Sequence, residues 1–282
     1  MRVTVYEVGP RDGLQSLTGF VPSQKKRDLI RCLYDAGLVH VEEVSFAHPK
    51  LVPQMADAEE VFSGRGSALV MNRRGFERAM GVGVEKVNVV LSPCEHFSMK
   101  NMGKTRSELV HELWSFLNGY PKENVRVYIS MAFGSPHSGE FSESTIRSVV
   151  RDAAMFGNTV VFSDTVGVGT ERDVATFARL AREAGVKAAL HLHHKGDESK
   201  PLRLIRAGIF AGISQFDSSI GGLGGCPFAE GSGANLATEV LVRHLRAWGA
   251  DVGVDNLGPA LSVVKDIRAD MLKDADVIAA IA

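Results

Sequence analysis

The sequence predicts a (β/α)8 TIM barrel with short extra helices at its C-terminal end, and three observations carry the prediction. Eight short apolar or β-branched runs alternate with eight helical stretches. The chain has 282 residues, the usual size of one such barrel. Polar and charged residues gather where the runs end and form no comparable set where they begin, as expected of a barrel with its site at the carboxyl mouth. A doubly wound open sheet is the alternative arrangement of such units.

The first run, residues 2–8, alternates in the manner of a strand, and a helical stretch follows at 23–36. Next come strand 39–44 with helix 53–62, strand 68–71 with helix 73–81, and strand 86–91 with helix 105–117. The second half repeats the order: 125–131 with 142–156, 159–163 with 171–183, 188–193 with 199–211, and 215–220 with 235–248. In the sixth helix Val174, Phe177, Ala178, Ala181 and Ala184 recur at steps of three and four, with Arg179, Arg182 and Glu183 off that stripe. One face of this helix therefore asks for a sheet beneath it. Residues 255–282 read as one or two further short helices packed on the barrel. No stretch rich in Pro, Gly or Ser divides the chain, so residues 1–282 read as a single domain.

With 45% hydrophobic residues the chain can bury a core that needs no cross-links. Lys plus Arg number 32 and Asp plus Glu 33, a net charge of −1, which excludes any global attraction to nucleic acid or an anionic membrane. Apolar runs fall well short of a membrane span. Cys32, Cys94 and Cys226 are odd in number and far apart, and the first residues lack a secretory pattern. Both features point to a reduced, cytoplasmic chain.

The strand ends supply the candidate site. After the first strand stand Arg11, Asp12 and Gln15; the second ends in Glu42 and Glu43; Asn72 follows the third, Asp164 and Thr165 the sixth. The seventh ends His191-Leu192-His193-His194, and the eighth gives Asp217-Ser218-Ser219. His191 and His193 are two apart on a strand, so both imidazoles share a face. With a carboxylate such as Asp12 they would suit a divalent ion; the alternative is a pair of half-buried histidines satisfied by backbone carbonyls. His194 points the other way. Arg11 is either half of a turn salt bridge or a permanent cation facing a developing oxyanion. One of Glu42 and Glu43 faces inward, where a carboxylate must be paired or used.

Six of the 29 glycines fall between Gly221 and Gly233. The run Gly221-Gly222-Leu223-Gly224-Gly225-Cys226-Pro227 lacks the Lys-Ser or Lys-Thr of a phosphate loop and the spacing of a dinucleotide fingerprint. It reads as a lid delivering the Cys226 thiol; the bland alternative is a turn holding an inert thiol.

Together, Glu7 to Gln15, Glu42 with Ser45-Phe46, Asp164 to Gly169, His191-Leu192-His193, and Gly222 through Asn235 to Glu239 resemble the 3-hydroxy-3-methylglutaryl-CoA lyase family, within the metal-dependent TIM-barrel lyases and Claisen-condensing enzymes. The resemblance runs in order over almost the whole chain. It implies Mg²⁺ or Mn²⁺ held by Asp12, His191, His193 and Asn235, and an acyl-CoA substrate contacted by Arg11 and Gln15. It also implies that Arg11 neutralises the thioester enolate, that Glu42 and Asp164 position Arg11, the metal shell and the proton acceptor, and that His191 assists in removing the substrate hydroxyl proton. Cys226 would protonate the enolate of acetyl-CoA, and a homodimer follows by analogy. Departures from the family pattern fall at Ser16, Ser163, 131–137, His194-Lys195-Gly196 and Gly231-Ser232-Gly233-Ala234. They leave two alternatives: related retro-aldol or Claisen chemistry on another hydroxyacyl thioester or free hydroxy acid, and a catalytically silent binding scaffold.

Overall fold

The computed structural model describes residues 1–224 and 233–281, and in it eight parallel strands close into a barrel. They are β1 (Thr4–Glu7), β2 (His40–Ser45), β3 (Ser67–Leu69), β4 (Lys86–Leu91), β5 (Val125–Ile129), β6 (Thr159–Asp164), β7 (Lys187–His194) and β8 (Gln215–Ser218). Each pairs with its successor, and β8 pairs back to β1 in the register Tyr6 to Asp217. A ninth strand, β9 (Ala234–Asn235), runs antiparallel to the end of β7, setting His193 opposite Asn235.

Helices surround the barrel: α1 (Ser23–Asp35), α2 (Ala58–Val61), α3 (Arg73–Gly81), α4 (Glu95–Met102), α5 (Arg106–Leu117), α6 (Glu143–Ala154), α7 (Glu171–Glu183), α8 (Ser199–Phe210), α9 (Thr238–Ala247) and α10 (Gly258–Ile281). The α7 segment shows how sequence makes the layer. Thr170 and Asp173 form a reciprocal cap at its start, satisfying backbone donors that a helix leaves open. Its predicted stripe is the buried face from Val174 to Ala181, with Ala184 half-buried just past the helix end, and Phe177 stacks on Phe162 of β6 at 4.5 Å between ring centres. No helix among the described residues is long and apolar enough to cross a membrane.

Four local expectations differ. The helix expected at 53–62 is a tight turn at Pro53–Met55 followed by the single turn α2. The cause is Lys26: its buried ammonium takes the Gln54 carbonyl, which a helix would offer to residue 58, and pairs with Asp57 at 2.7 Å. An additional helix, α4, stands between β4 and α5, ended by Gly103 in the left-handed conformation. Asn235 belongs to β9 and not to the eighth helix, which starts at Thr238. The C-terminal stretch forms the single 24-residue α10 in place of one or two short helices.

Candidate active site

At the carboxyl end of β1 the chain makes one wide turn, Gly9–Gly13, with the N–H groups of Asp12 and Gly13 both reaching the Val8 carbonyl. The turn aims Arg11 and Asp12 into the barrel mouth. Glu7 pins it from behind, accepting from Gly9 N at 2.7 Å, Ile220 N at 2.9 Å and Thr238 Oγ1 at 2.5 Å. The turn after β8 lies against it where Gly13 and Gly224 meet: a Cβ on Gly224 would stand 3.0 Å from the Gly13 Cα, and Gly224 has φ +104°. Only glycine suits that approach and that backbone.

Arg11 is 6% exposed and held on two sides. Its Nε donates to Glu42 Oε2 at 2.6 Å and its Nη1 to Asp12 Oδ1 at 2.7 Å. Asn88 Nδ2 in turn donates to the other Glu42 oxygen at 2.7 Å, so Glu42 cannot turn away. Burial works against the guanidinium charge, but Glu42 and Asp12 overcome it and raise the Arg11 pKa above its ordinary value. Burial would likewise raise Asp12; Arg11, with the two histidines, reverses that and brings its carboxyl to about 2. Asp12 also accepts from Gln15 Nε2 at 3.1 Å and Asn235 Nδ2 at 2.7 Å.

The His191 and His193 Nε2 atoms face each other at 3.0 Å. Their other ring nitrogens decide where the protons are. His193 Nδ1 lies 3.1 Å from the Thr165 carbonyl, which only accepts, so the proton sits on Nδ1 and Nε2 presents a lone pair. His191 Nδ1 lies 3.3 Å from Asp217 Oδ2. Despite burial, Arg126 holds Asp217 below the ordinary carboxylate range, so this partner is an ionised acceptor that keeps a proton on His191 Nδ1 and leaves Nε2 as the ring nitrogen turned inward. Burial, then the neighbouring His191, pushes His193 down to about 4, so it is neutral at pH 7. Two imidazole Nε2 atoms and a carboxylate thus converge, with ligand atoms of Asp12, His191 and His193 all within 4.8 Å of one another. The mixed nitrogen and oxygen donors of this set fit a divalent ion. Both amide N–H groups of Asn235 are spent on Asp12 and the Leu223 carbonyl, leaving its oxygen as an electron-pair donor beside His193.

This cluster lies in a cavity of about 250 Å³ lined by Arg11, Asp12, Gln15, Tyr128, His191 and His193. Of the residues expected from sequence, Arg11, Asp12, Gln15, Glu42, His191, His193 and Asn235 are brought together. Asp164 is not. Val161 belongs to the barrel's inner apolar cluster and Phe162 packs outward on α7, so the strand period turns Asp164 outward. There it accepts from Val168 N at 2.8 Å and Gly169 N at 2.9 Å, shaping its own turn and touching neither Arg11 nor the histidines. Cys226 and the remainder of its proposed lid, 225–232, lie outside the described residues. Sequence reading passed over Asn88, Arg126 and Tyr128, which reach the site from inside the barrel. The available signal was the polar residue two apart in each strand, Lys86 and Asn88 in β4 and Arg126 and Tyr128 in β5.

A model of the HMGL-like family matches residues 2–261. The chain is 35% identical over 264 residues to the hydroxymethylglutaryl-CoA lyase, mitochondrial, of Homo sapiens, across 90% of this chain and 81% of that protein. Its fold is similar to that of an HMG-CoA lyase from Acinetobacter baumannii solved with coenzyme A and 3-methylmalate, with a TM-score of 0.87 and 29% identity over 96% of this chain and 91% of that one. The HMG-CoA lyase from Brucella melitensis gives a TM-score of 0.86 and 31% identity over 96% and 99% of the two chains.

Proposed function

The chain belongs to the HMGL-like family, and from that premise we propose that it is a divalent-metal-dependent carbon–carbon lyase cleaving 3-hydroxy-3-methylglutaryl-CoA to acetyl-CoA and acetoacetate. The observation that carries the proposal is the convergence of Asp12, His191 and His193 beside a guanidinium gripped by two carboxylates. The similar Acinetobacter lyase was solved with coenzyme A, which supports a CoA thioester as the substrate class. Lys100, exposed on α4 and lining the same cavity, is a cation for its phosphates.

Cleavage breaks the bond between C2 and C3 as the C3 hydroxyl loses its proton; the bonding pair moves into a thioester enolate, and C2 then takes up a proton. Asp12, His191, His193 and Asn235 would hold Mg²⁺ or Mn²⁺, which supplies acidity to the C3 hydroxyl and a fixed place for substrate oxygens. His191 is placed for two jobs, ligand and proton acceptor at Nε2, though not both at one instant. Arg11, fixed before substrate arrives, meets the negative charge that develops on the thioester oxygen, so little reorganisation is needed when that charge forms. Gln15 keeps Asp12 in place and shares the cavity wall with the substrate. Cys226 delivers the final proton to C2. The thiols of Cys32 and Cys94 are free, which suits the reducing cytoplasm we assign as its setting.

The test is acetyl-CoA release from 3-hydroxy-3-methylglutaryl-CoA by purified protein with Mg²⁺ or Mn²⁺, run beside the free acid and other 3-hydroxyacyl thioesters. Release from the named thioester alone supports the reading; release only from a different acid or thioester replaces the substrate and keeps the chemistry. Cys226→Ala should keep metal binding and lose most turnover.

A further inference from the structure

We propose that Arg126 is a positioning residue for the metal-binding histidines, fixing the orientation and tautomer of His191 from the barrel floor through Asp217. The inference rests on the cation reading of Asp12, His191 and His193 given above.

Arg126 lies on the inward face of β5, 6% exposed. Its Nη2 donates to Asp217 Oδ1 at 2.7 Å and its Nη1 to the Tyr128 hydroxyl at 3.0 Å. That hydroxyl donates to Asp217 Oδ2 at 2.9 Å, the oxygen that also receives His191 Nδ1–H at 3.3 Å. One Asp217 oxygen is therefore taken by Arg126 and the other is shared by Tyr128 and His191. A carboxylate held at both ends cannot rotate, and as an acceptor it holds the His191 proton on Nδ1, with Nε2 facing Asp12 and His193.

Arg126 is itself held by packing. Its guanidinium carbon lies 3.8 Å over the centre of the Tyr6 ring, and its Nε has no hydrogen-bond partner among the described residues. The Tyr6 hydroxyl contacts Ser67 at 2.6 Å and Asn88 at 3.4 Å, and Asn88 is the residue that steadies Glu42 behind Arg11. Arg126 thus stands where the supports of the two halves of the site meet. Stability alone does not account for it. Barrel interiors are ordinarily filled with branched aliphatic side chains, and replacing a buried ion pair by apolar groups of similar volume is often neutral or stabilising. An ion pair whose free face touches a histidine makes sense as an orienting device.

Two readouts test this, neither of them turnover: the Mn²⁺ dissociation constant of metal-free protein followed by electron paramagnetic resonance, and the His191 tautomer from imidazole ¹⁵N shifts before metal is added. Arg126→Met should weaken Mn²⁺ binding by about 10- to 100-fold, the usual range for losing a group that orients a ligand. Arg126→Lys, which keeps the charge, should recover part of that loss, and Tyr128→Phe should cost less than Arg126→Met. The double change Arg126→Met with Asp217→Leu keeps the floor filled and the fold intact, yet should bind Mn²⁺ as poorly as Arg126→Met. Asp217→Asn should move His191 off the pure Nδ1–H form. Wild-type Mn²⁺ affinity in the folded double variant, with Nδ1–H retained on His191, overturns the proposal. If wild-type protein binds no Mn²⁺, the cation reading fails, and the tautomer measurement still decides the role of Arg126 by itself.

Discussion

The inside of the barrel and the layer between barrel and helices are built on opposite rules. Outside the strands the contacts are mainly apolar: Val3, Val5, Leu29, Leu33, Val41 and Phe162 are all at most 3% exposed and belong to one continuous cluster. Inside, apolar packing is confined to a small cluster of Tyr128, Val161 and Ala189 with Val90 against it. The rest of that space holds Tyr6, Glu42, Asn88, Arg126, Asp217 and His191, all buried and all hydrogen-bonded. Apolar burial stabilises without demanding a partner, at about 25 cal/mol per Å². A buried polar group stabilises little and costs much if its partner is lost. The outer layer therefore holds the fold together, and the inner one fixes where a few atoms stand.

Substitutions should separate the two. The largest effect falls on the site: His193→Ala removes a ligand from the convergent set, and turnover should drop on the order of 10⁴-fold, about 5 kcal/mol of barrier. The melting temperature of the metal-free protein should change little beside that loss, since His193 stands in the polar mouth and not in the apolar core. A large drop in metal-free stability would erase the distinction between the layers. In the outer layer, Leu33→Ala on α1 leaves a cavity under a fully buried position. Its cost should be about 3 kcal/mol of stability in denaturant titrations, with Mn²⁺ affinity unchanged in the folded fraction. A smaller effect is expected for Asn88→Ala, which frees one oxygen of Glu42. Loss of a hydrogen bond to a charged group is worth about 2 kcal/mol, and it should appear as a lower kcat with Mn²⁺ affinity retained, because Arg11 and not the histidines is loosened.

The outer layer was the more legible in sequence, because its periodicities are written in hydrophobic residues. The eight strand-and-helix units and the α7 stripe follow directly from them. The inner layer is written in residue parity, which a boundary shifted by one position inverts. Glu42, within β2, faces inward and Asp164, at the end of β6, outward for that reason. Asn235 was legible as a donor but not as part of β9, since a two-residue strand is made by the partner it pairs with, the end of β7, and not by its own propensity. The turn at Pro53–Met55 escaped because Lys26, distant in sequence, takes the carbonyl a helix needs. Arg126 and Asp217 lie 91 positions apart, a separation no local pattern spans.

Glu7 sharpens the comparison from a third position, a buried carboxylate with no cation opposite it among the described residues. Glu42 has Arg11; Glu7 has two backbone N–H groups and the Thr238 hydroxyl. Burial outweighs those hydrogen bonds and pushes its pKa from 4.5 up to about 7. The sign follows from where the proton is held. The folded chain keeps it up to about pH 7 and the unfolded chain releases it near 4.5, so the contribution to stability is complete below 4.5 and is lost as pH rises through 7. Between pH 6 and 8 the folded state changes from mostly protonated to mostly ionised at this site, a loss of about 1.4 kcal/mol. Glu7→Gln keeps the acceptor for Gly9 and Ile220 and offers Thr238 an amide, but it does not titrate. The difference in unfolding free energy between Glu7→Gln and wild type should therefore shift by that amount in favour of the variant from pH 6 to pH 8. Parallel pH profiles would mean that hydrogen bonds alone keep Glu7 ionised throughout, and that a buried carboxylate in this barrel needs no cation.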